Sequence, residues 1–196
     1  MIDAIPQYSH ISEQEYYWLE ERAEVRHEYL DGEIFDMAGG TPSHSRLIAS
    51  VTSALGSRLR GQPCYPASSD QRIKIERTGL ITYPDAAVVC PPECYDPANS
   101  NTLLNPRVVV EVLSPSTEEY DRKIKFSHYC EIDSLTHIIL VRQDRVEIVH
   151  HHREPGGEWV TDTYGTRASI LRLEDLSLEV PLEEIYERLD LPELSK

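Results

Sequence analysis

Hydrophobic and polar positions along the chain follow helical spacing in some segments and strand spacing in others. Apolar residues at helical spacing predict a helix over 44–60, capped by Thr41 with Pro42 at its first position. A strictly alternating segment at 72–76 and an unbroken apolar run at 108–113 predict strands. Further strands are predicted over 85–90, 137–141, 145–150 and 159–163, and further helices over 13–24, 117–130 and 180–189.

Capping and turn residues mark where these elements begin and end. Ser12 with Glu15 forms a capping box for the first helix, and Ser116 is the predicted N-cap of a later one. Asp31-Gly32 predicts a tight hairpin. The segment 91–106, rich in Pro, Asn and Asp, predicts a loop.

The order of the elements predicts the fold class. Helix, hairpin, helix, strands, helix and further strands are typical of one α/β (α+β) domain over 1–196, with a mixed sheet flanked by helices. The segment 108–141 has the order strand, helix, strand, which favours parallel pairing of its two strands.

Composition narrows the class of protein. The 40% hydrophobic and 27% charged residues are typical of a globular domain. No apolar run approaches the roughly 20 residues of a membrane span, and the N-terminus lacks the features of a signal peptide. We therefore expect a cytoplasmic protein without a membrane partner. The four cysteines match no zinc-site spacing, so we expect reduced thiols.

The formal net charge is −15, which argues against indiscriminate binding to a polyanion. The charge is unevenly distributed. Residues 12–36 hold nine acidic and two basic side chains, and residues 174–196 hold eight acidic and two basic ones. Most of the acidity therefore belongs to the two ends of the sequence.

Two carboxylates occur where the pattern predicts buried strands. Glu111 lies inside the run Val108–Leu113, and Asp85 directly precedes four apolar residues. Buried acids are costly unless they are paired or bind a cation. Carboxylates on adjacent strands can hold Mg²⁺, whereas strand-end acids can also cap loops, and the pattern alone leaves both interpretations open. His44, near a helix N-terminus, is predicted either to be solvated or to contact a phosphate.

Several motifs together carry a resemblance to a known family. These are RHEYLDGEIFDM at 26–37, YPDAAVVC at 83–90, VVVEVLSPST at 108–117 and YDRKIKFSHY at 120–129. With Pro84-Asp85, Glu111 and Lys125 in this order, the chain resembles the PD-(D/E)XK nuclease superfamily. More narrowly, it resembles the Uma-two family of restriction endonucleases over nearly its whole length.

The resemblance implies a restriction-endonuclease-like core with a metal site. Asp85 and Glu111 would bind Mg²⁺ or Mn²⁺, together with the Val112 carbonyl and Glu28. The lysine of the superfamily normally follows the second acid by two residues, and here that position is Leu113.

Within this family the lysine moves into the following helix, which corresponds to Lys125. The implied catalytic residues are therefore Asp85, Glu111 and Lys125, with Lys125 orienting or deprotonating the attacking water. Lys123 lies about 200° around an α-helix from Lys125 and is the less suitable substitute.

The function implied by the resemblance is a magnesium-dependent deoxyribonuclease that acts on DNA. A homodimer is expected by analogy with enzymes that cut both strands. A catalytically silent nucleic-acid-binding or regulatory module on the same fold is the alternative, favoured by the displaced lysine and the net charge. For a nuclease, we expect a basic or neutral cleft within an acidic exterior. A mouth lined only by acids, with no Arg or Lys beyond Lys125, would make DNA the wrong substrate.

Overall fold

The fold alternates short helices with fourteen strands in the computed structural model, which describes residues 8–37, 39–115 and 117–194. The helices are α1 (Glu13–Glu20), α2 (Pro42–Leu59), α3 (Glu118–Tyr120, Asp121–Lys125 and Phe126–Tyr129, the middle part π-helical) and α4 (Leu182–Tyr186). The first strands are β1 (His27–Leu30), β2 (Glu33–Asp36), β3 (Tyr65–Ser68), β4 (Arg72–Lys74), β5 (Ile81–Thr82), β6 (Ala86–Val89) and β7 (Tyr95–Asp96). The others are β8 (Asn99–Leu103), β9 (Pro106–Leu113), β10 (His137–Arg142), β11 (Ile148–Arg153), β12 (Trp159–Tyr164), β13 (Ile170–Leu173) and β14 (Leu178–Pro181).

Two six-stranded sheets form the framework. One has the strand order β2-β1-β5-β4-β8-β7, and the other has the order β12-β11-β10-β9-β6-β3. Strands β9 and β10 pair in parallel, whereas β6 pairs antiparallel with β9. The sheets are mixed and flanked by helices, so the predicted fold class and the predicted parallel pair are confirmed.

Strand β9 lies at the centre of the second sheet and is covered on both faces. Val108, Val110 and Val112 belong to a core that includes residues of α2 and α4. Val109 and Leu113 point to the opposite face, where they share a core with Tyr129 of α3. Because side chains alternate along a strand, Glu111 lies on the same face as Val109, beneath α3.

The elements predicted from capping and turn residues form as expected. Ser12 and Glu15 form both hydrogen bonds of the capping box that begins α1. Strands β1 and β2 form an antiparallel hairpin whose turn residues, Asp31 and Gly32, both have positive φ angles. Helix α2 begins after Thr41, whose hydroxyl accepts the N–H of His44. The predicted cap Ser116 lies outside the described residues.

Other predicted boundaries were wrong where the pairing of strands overrides the local sequence pattern. The predicted loop at 91–106 contains the antiparallel pair β7 and β8. Strand β11 begins three residues later than the predicted strand at 145–150. The predicted helix at 180–189 is reduced to the five residues of α4, because Val180 belongs to β14 and pairs with β13.

The cysteines also depart from the expectation of reduced thiols. Cys64 and Cys90 form a disulfide, while Cys94 and Cys130 are free. The pairing follows from the sheet: Tyr65 of β3 lies opposite Val89 of β6, which brings the flanking cysteines together across the two strand ends. None of the helices in the described residues has the length and apolar character needed to cross a bilayer.

Candidate active site

Two adjacent strands place the predicted carboxylates beside the same cavity. Ala86 of β6 pairs with Val110 of β9, so Asp85 comes next to Glu111 across the pair. The Asp85 Oδ2 atom accepts the backbone N–H of Val112 at 2.7 Å. Both carboxylates line a cavity of about 540 Å³. Asp85 precedes its strand and is partly exposed, whereas Glu111 is buried within its strand.

Lys125 extends from the π-helical part of α3 onto Glu111 and two further carboxylates. Its Nζ atom lies 2.8 Å from Glu28 Oε1, 3.3 Å from Glu111 Oε1 and 3.8 Å from Asp121 Oδ1. Single π-helical turns often occur at functional sites, and this one directs Lys125 inward. Lys123, the less suitable candidate, is exposed and pairs with Glu119 at 2.8 Å.

Hydroxyl groups hold the two glutamates in place. The Tyr129 hydroxyl donates to Glu111 Oε1, the oxygen that also faces Lys125. Glu28, on β1, accepts the Thr82 hydroxyl at 2.6 Å and the Tyr120 hydroxyl at 3.0 Å. Glu28 thus joins the first sheet to the site through donors that are themselves buried or partly buried. These bonds supply part of the compensation that buried carboxylates require.

The electrostatic state of the site reflects burial and crowding of like charges. Burial, together with the Asp121 and Asp85 carboxylates, raises the pKa of Glu111 to about 8 against the opposing effect of Lys125. Burial alone would lower the pKa of Lys125, but the Glu111 and Glu28 carboxylates raise it well above its usual value. Burial also raises the pKa of Asp121. These effects favour the charged form of Lys125 and the protonated form of Glu111.

The donor set fits a hard divalent cation. Glu28, Asp85, Glu111 and Asp121 outnumber the nearby cationic group of Lys125. An oxygen-binding cation would offset this negative charge and take the place of the proton on Glu111. Within 8–37, 39–115 and 117–194, no three acidic, histidine or cysteine side chains already form a metal-binding group. The oxygen ligands that fit a divalent cation are therefore two side chains, Asp85 and Glu111, and the Val112 carbonyl, with solvent completing the coordination.

The cavity is more acidic than expected. Its described lining contains Lys125 but no other lysine or arginine. The acidic side chains of this lining are Glu28, Asp36, Asp85, Glu111 and Asp121. The expectation of a basic or neutral cleft was wrong, because β1, β2, β9, α3 and the residue before β6 each bring an acid to this one place. The absence of a second lysine or arginine from the described lining counts against DNA as the substrate.

Two residues near the carboxylates make contacts that the sequence did not predict. His44 Nε2 lies 3.3 Å from Asp85 Oδ2, so His44 is neither free in solvent nor directed only at an incoming phosphate. The hydrogen bond to Asp85 raises the pKa of His44, against the effect of burial. Tyr129 occurs within the motif YDRKIKFSHY, but its contact with Glu111 depends on how α3 packs on β9. Only the spacing from Lys125 to Tyr129, one helical turn, hinted at it.

Carboxylates on adjacent strands beside a buried lysine, on a mixed sheet flanked by helices, define a restriction-endonuclease-like protein. The model of the Uma2 family, described as "Putative restriction endonuclease", matches residues 13–183, and the chain belongs to this family.

Similar proteins occur in cyanobacteria. The chain is 36% identical to "Uncharacterized protein slr1290" of Synechocystis over 90% of its own length and 91% of that protein. It is 28% identical to "Uncharacterized protein sll1609" of the same organism, over 80% and 89% of the two chains. A crystal structure from Anabaena variabilis, named "a putative nuclease belonging to DUF820", has a TM-score of 0.68 and 16% identity over 84% and 92% of the chains. This last likeness shows the shared fold.

Proposed function

We propose that this protein is a metal-dependent endonuclease of the PD-(D/E)XK type that hydrolyses DNA phosphodiester bonds. The observation that carries the proposal is the contact of buried Lys125 with Glu28 and Glu111, next to Asp85 on the adjacent strand. A buried lysine among carboxylates is a costly arrangement, and perturbed groups of this kind concentrate at functional sites. Membership of the Uma2 family supports the same reaction class.

Each residue has a distinct part in the proposed reaction. Asp85, Glu111 and the Val112 carbonyl would hold Mg²⁺ or Mn²⁺, whereas Glu28 would hold Lys125 in place. Such an ion lowers the pKa of bound water and offsets charge on a phosphate. Lys125, charged and held above Glu111, would orient the attacking water and stabilise the negative charge of the transition state. Because its pKa is raised, Lys125 is better suited to charge stabilisation than to removing a proton.

The acidic lining has a consequence for substrate binding. Without a cation, the carboxylates repel a phosphate, so we expect binding of DNA in the cavity to require a divalent ion. The same lining favours the second candidate, a catalytically silent nucleic-acid-binding or regulatory module. In that case Lys125 would serve only to neutralise Glu28 and Glu111 in the core.

Cleavage of supercoiled plasmid separates the two candidates. We expect the wild type to nick or linearise plasmid with Mg²⁺ or Mn²⁺ and to stop when EDTA is added. Asp85→Ala should lose about 10²-fold or more of this activity, whereas Glu119→Gln, an exposed acid on α3, should retain it. Equal cleavage by wild type and Asp85→Ala would refute the proposed site. The absence of any product with either ion, together with folded protein, would favour the silent module.

We also propose that the single domain acts as a homodimer in the cytoplasm. Two copies would place two active sites against the two strands of a duplex, and cellular DNA lies in this compartment. Sedimentation equilibrium tests the first part, because a monomer at micromolar concentration and with DNA bound would contradict it.

A further inference from the structure

The first turn of α2 is built to hold the ring of His44 in one place. Thr41 accepts the backbone N–H of His44 at 3.1 Å, which fixes the start of the helix. The ring packs directly on Gly40, where a Cβ atom would lie only 2.6 Å from His44 Nδ1. Any side chain at this glycine would displace the ring. Two neighbouring residues therefore determine where the second ring nitrogen, Nε2, can point.

That second nitrogen faces Asp85. His44 Nε2 lies 3.3 Å from Asp85 Oδ2, and the two side chains are only 16% and 17% exposed. The same Oδ2 atom accepts the backbone N–H of Val112 at 2.7 Å. Two donors from different elements thus act on one oxygen of the carboxylate, which fixes its plane and leaves Oδ1 for another partner.

Glu111 is held in a similar way. Its Oε1 atom accepts the hydroxyl of Tyr129 and faces Lys125 Nζ at 3.3 Å. For each of the two carboxylates, the hydrogen bonds and ion pairs with described residues fall on one oxygen atom, Oδ2 of Asp85 and Oε1 of Glu111. This is the arrangement by which hydrogen-bonding partners outside a metal site orient the ligands within it.

We propose that His44 is a positioning residue that holds Asp85 ready for a divalent cation. By donating to Oδ2, it presents Oδ1 to the cation and prevents rotation of the carboxylate. The inference rests on the proposed function, because it assigns Asp85 as a ligand. His44 itself does not touch the cation or the substrate in this role.

The direct test is Mn²⁺ affinity, measured by calorimetry and by the electron paramagnetic resonance signal of free Mn²⁺. His44→Ala should weaken Mn²⁺ binding about 10–100-fold, the usual cost of losing such a partner. His44→Gln keeps an N–H donor and should restore most of the affinity. Gly40→Ala removes no polar group but displaces the ring, so it should weaken binding as well. Ser45→Ala, an exposed position in the same turn, is the matched control and should bind like the wild type.

The outcomes separate this inference from the proposed function. Thermal unfolding of each variant shows whether it is folded. If His44→Ala does not fold, Gly40→Ala and His44→Gln still test the proposal. If wild type binds Mn²⁺ and Asp85→Ala does not, while His44→Ala binds as tightly as wild type or more tightly, only the positioning role is refuted. If wild type does not bind Mn²⁺, or Asp85→Ala binds it normally, the proposed metal site fails and the role of His44 with it.

Discussion

Replacing Lys125 with methionine removes a buried cation and leaves its carboxylate partners in place. Lys125 is 4% exposed, and its Nζ atom contacts Glu28 at 2.8 Å and Glu111 at 3.3 Å. Breaking a buried ion pair by removing one partner costs about 3–5 kcal/mol, because the remaining charge is buried without compensation. Methionine is similar in length to lysine, so lost packing should add little to this destabilisation. We therefore expect the free energy of unfolding to fall by about 3–5 kcal/mol at pH 8.

The loss should depend on pH, and its sign follows from Glu111. Burial already raises the pKa of this carboxyl to about 8, and removing Lys125 removes an opposing effect and raises the pKa further. At pH 5 the carboxyl is protonated in both the folded wild type and the folded variant, so it adds nothing to the difference between them. Above pH 8 the wild type loses this proton while the variant retains it, so the destabilisation should be larger at pH 9.5 than at pH 5.

Urea unfolding, followed by circular dichroism at pH 5, 8 and 9.5, gives the required free energies. Lys123→Met is the matched control: Lys123 lies on the same helix, is exposed and pairs with Glu119, so its loss should cost no more than about 0.5 kcal/mol. In plasmid cleavage, Lys125→Met should be at least about 10²-fold slower than Lys123→Met. Equal stability of Lys125→Met and the wild type at pH 8 would show that the buried contacts are absent in solution. Equal cleavage rates would refute the proposed role of the lysine.

Three further outcomes are expected. Saturating Mn²⁺ should stabilise the wild type, by about 2.7 kcal/mol at a hundred times the Kd, and should leave the melting temperature of Asp85→Ala unchanged; an equal shift in both would place the ion elsewhere. Fluorescence anisotropy with duplex DNA should detect binding only with Ca²⁺ or Mn²⁺ present, and salt should weaken it steeply; tight binding in EDTA would contradict the effect ascribed to the acidic cavity. Burial, with His137 next to it, lowers the pKa of His150 to about 3. The contribution of neutral His150 to the free energy of unfolding is therefore full above pH 6.5, and it declines by up to about 1.4 kcal/mol per pH unit as the pH falls toward 3. Urea unfolding of His150→Phe should show a shallower decline over this interval, and an unchanged decline would contradict the assignment.

The parts of the fold that the sequence predicted best are those set by local chemistry. Helix α2 has its cap, its proline and its apolar spacing within one segment, and the Asp31-Gly32 turn needs only its own two residues. Strands β7 and β8 lack such signals, because their polar residues form strands only by pairing with one another and with β4. The apolar spacing from Val180 onward suits a helix as well as a strand, and pairing with β13 decides the outcome.

The same distinction applies to the candidate site. Glu111 stands out because a charged residue interrupts an otherwise apolar run, and this contrast is visible in a single segment. The contact of His44 with Asp85 depends on the approach of α2 to β6, about forty positions along the chain, and no spacing rule encodes it. The acidity of the cavity escaped prediction for a related reason. Net charge counted along segments says little about which side chains meet in space.

The π-helical segment in α3 affects how the site would tolerate changes in chain length. In a regular α-helix, residues four apart differ by about 40° in direction, so Asp121, Lys125 and Tyr129 would drift progressively around the axis. The wider turn from 121 to 125 rotates less per residue and compensates for this drift, which keeps all three side chains above β9. A π-helical turn is equivalent to an α-helix with one residue inserted. Deleting one residue between Asp121 and Lys125 would thus restore a regular helix with Lys125 and Tyr129 still near Glu111. Deleting one residue between Lys125 and Tyr129 would instead turn Tyr129 by about 100° away from Glu111, so the register of this helix is as much a part of the site as the side chains it carries.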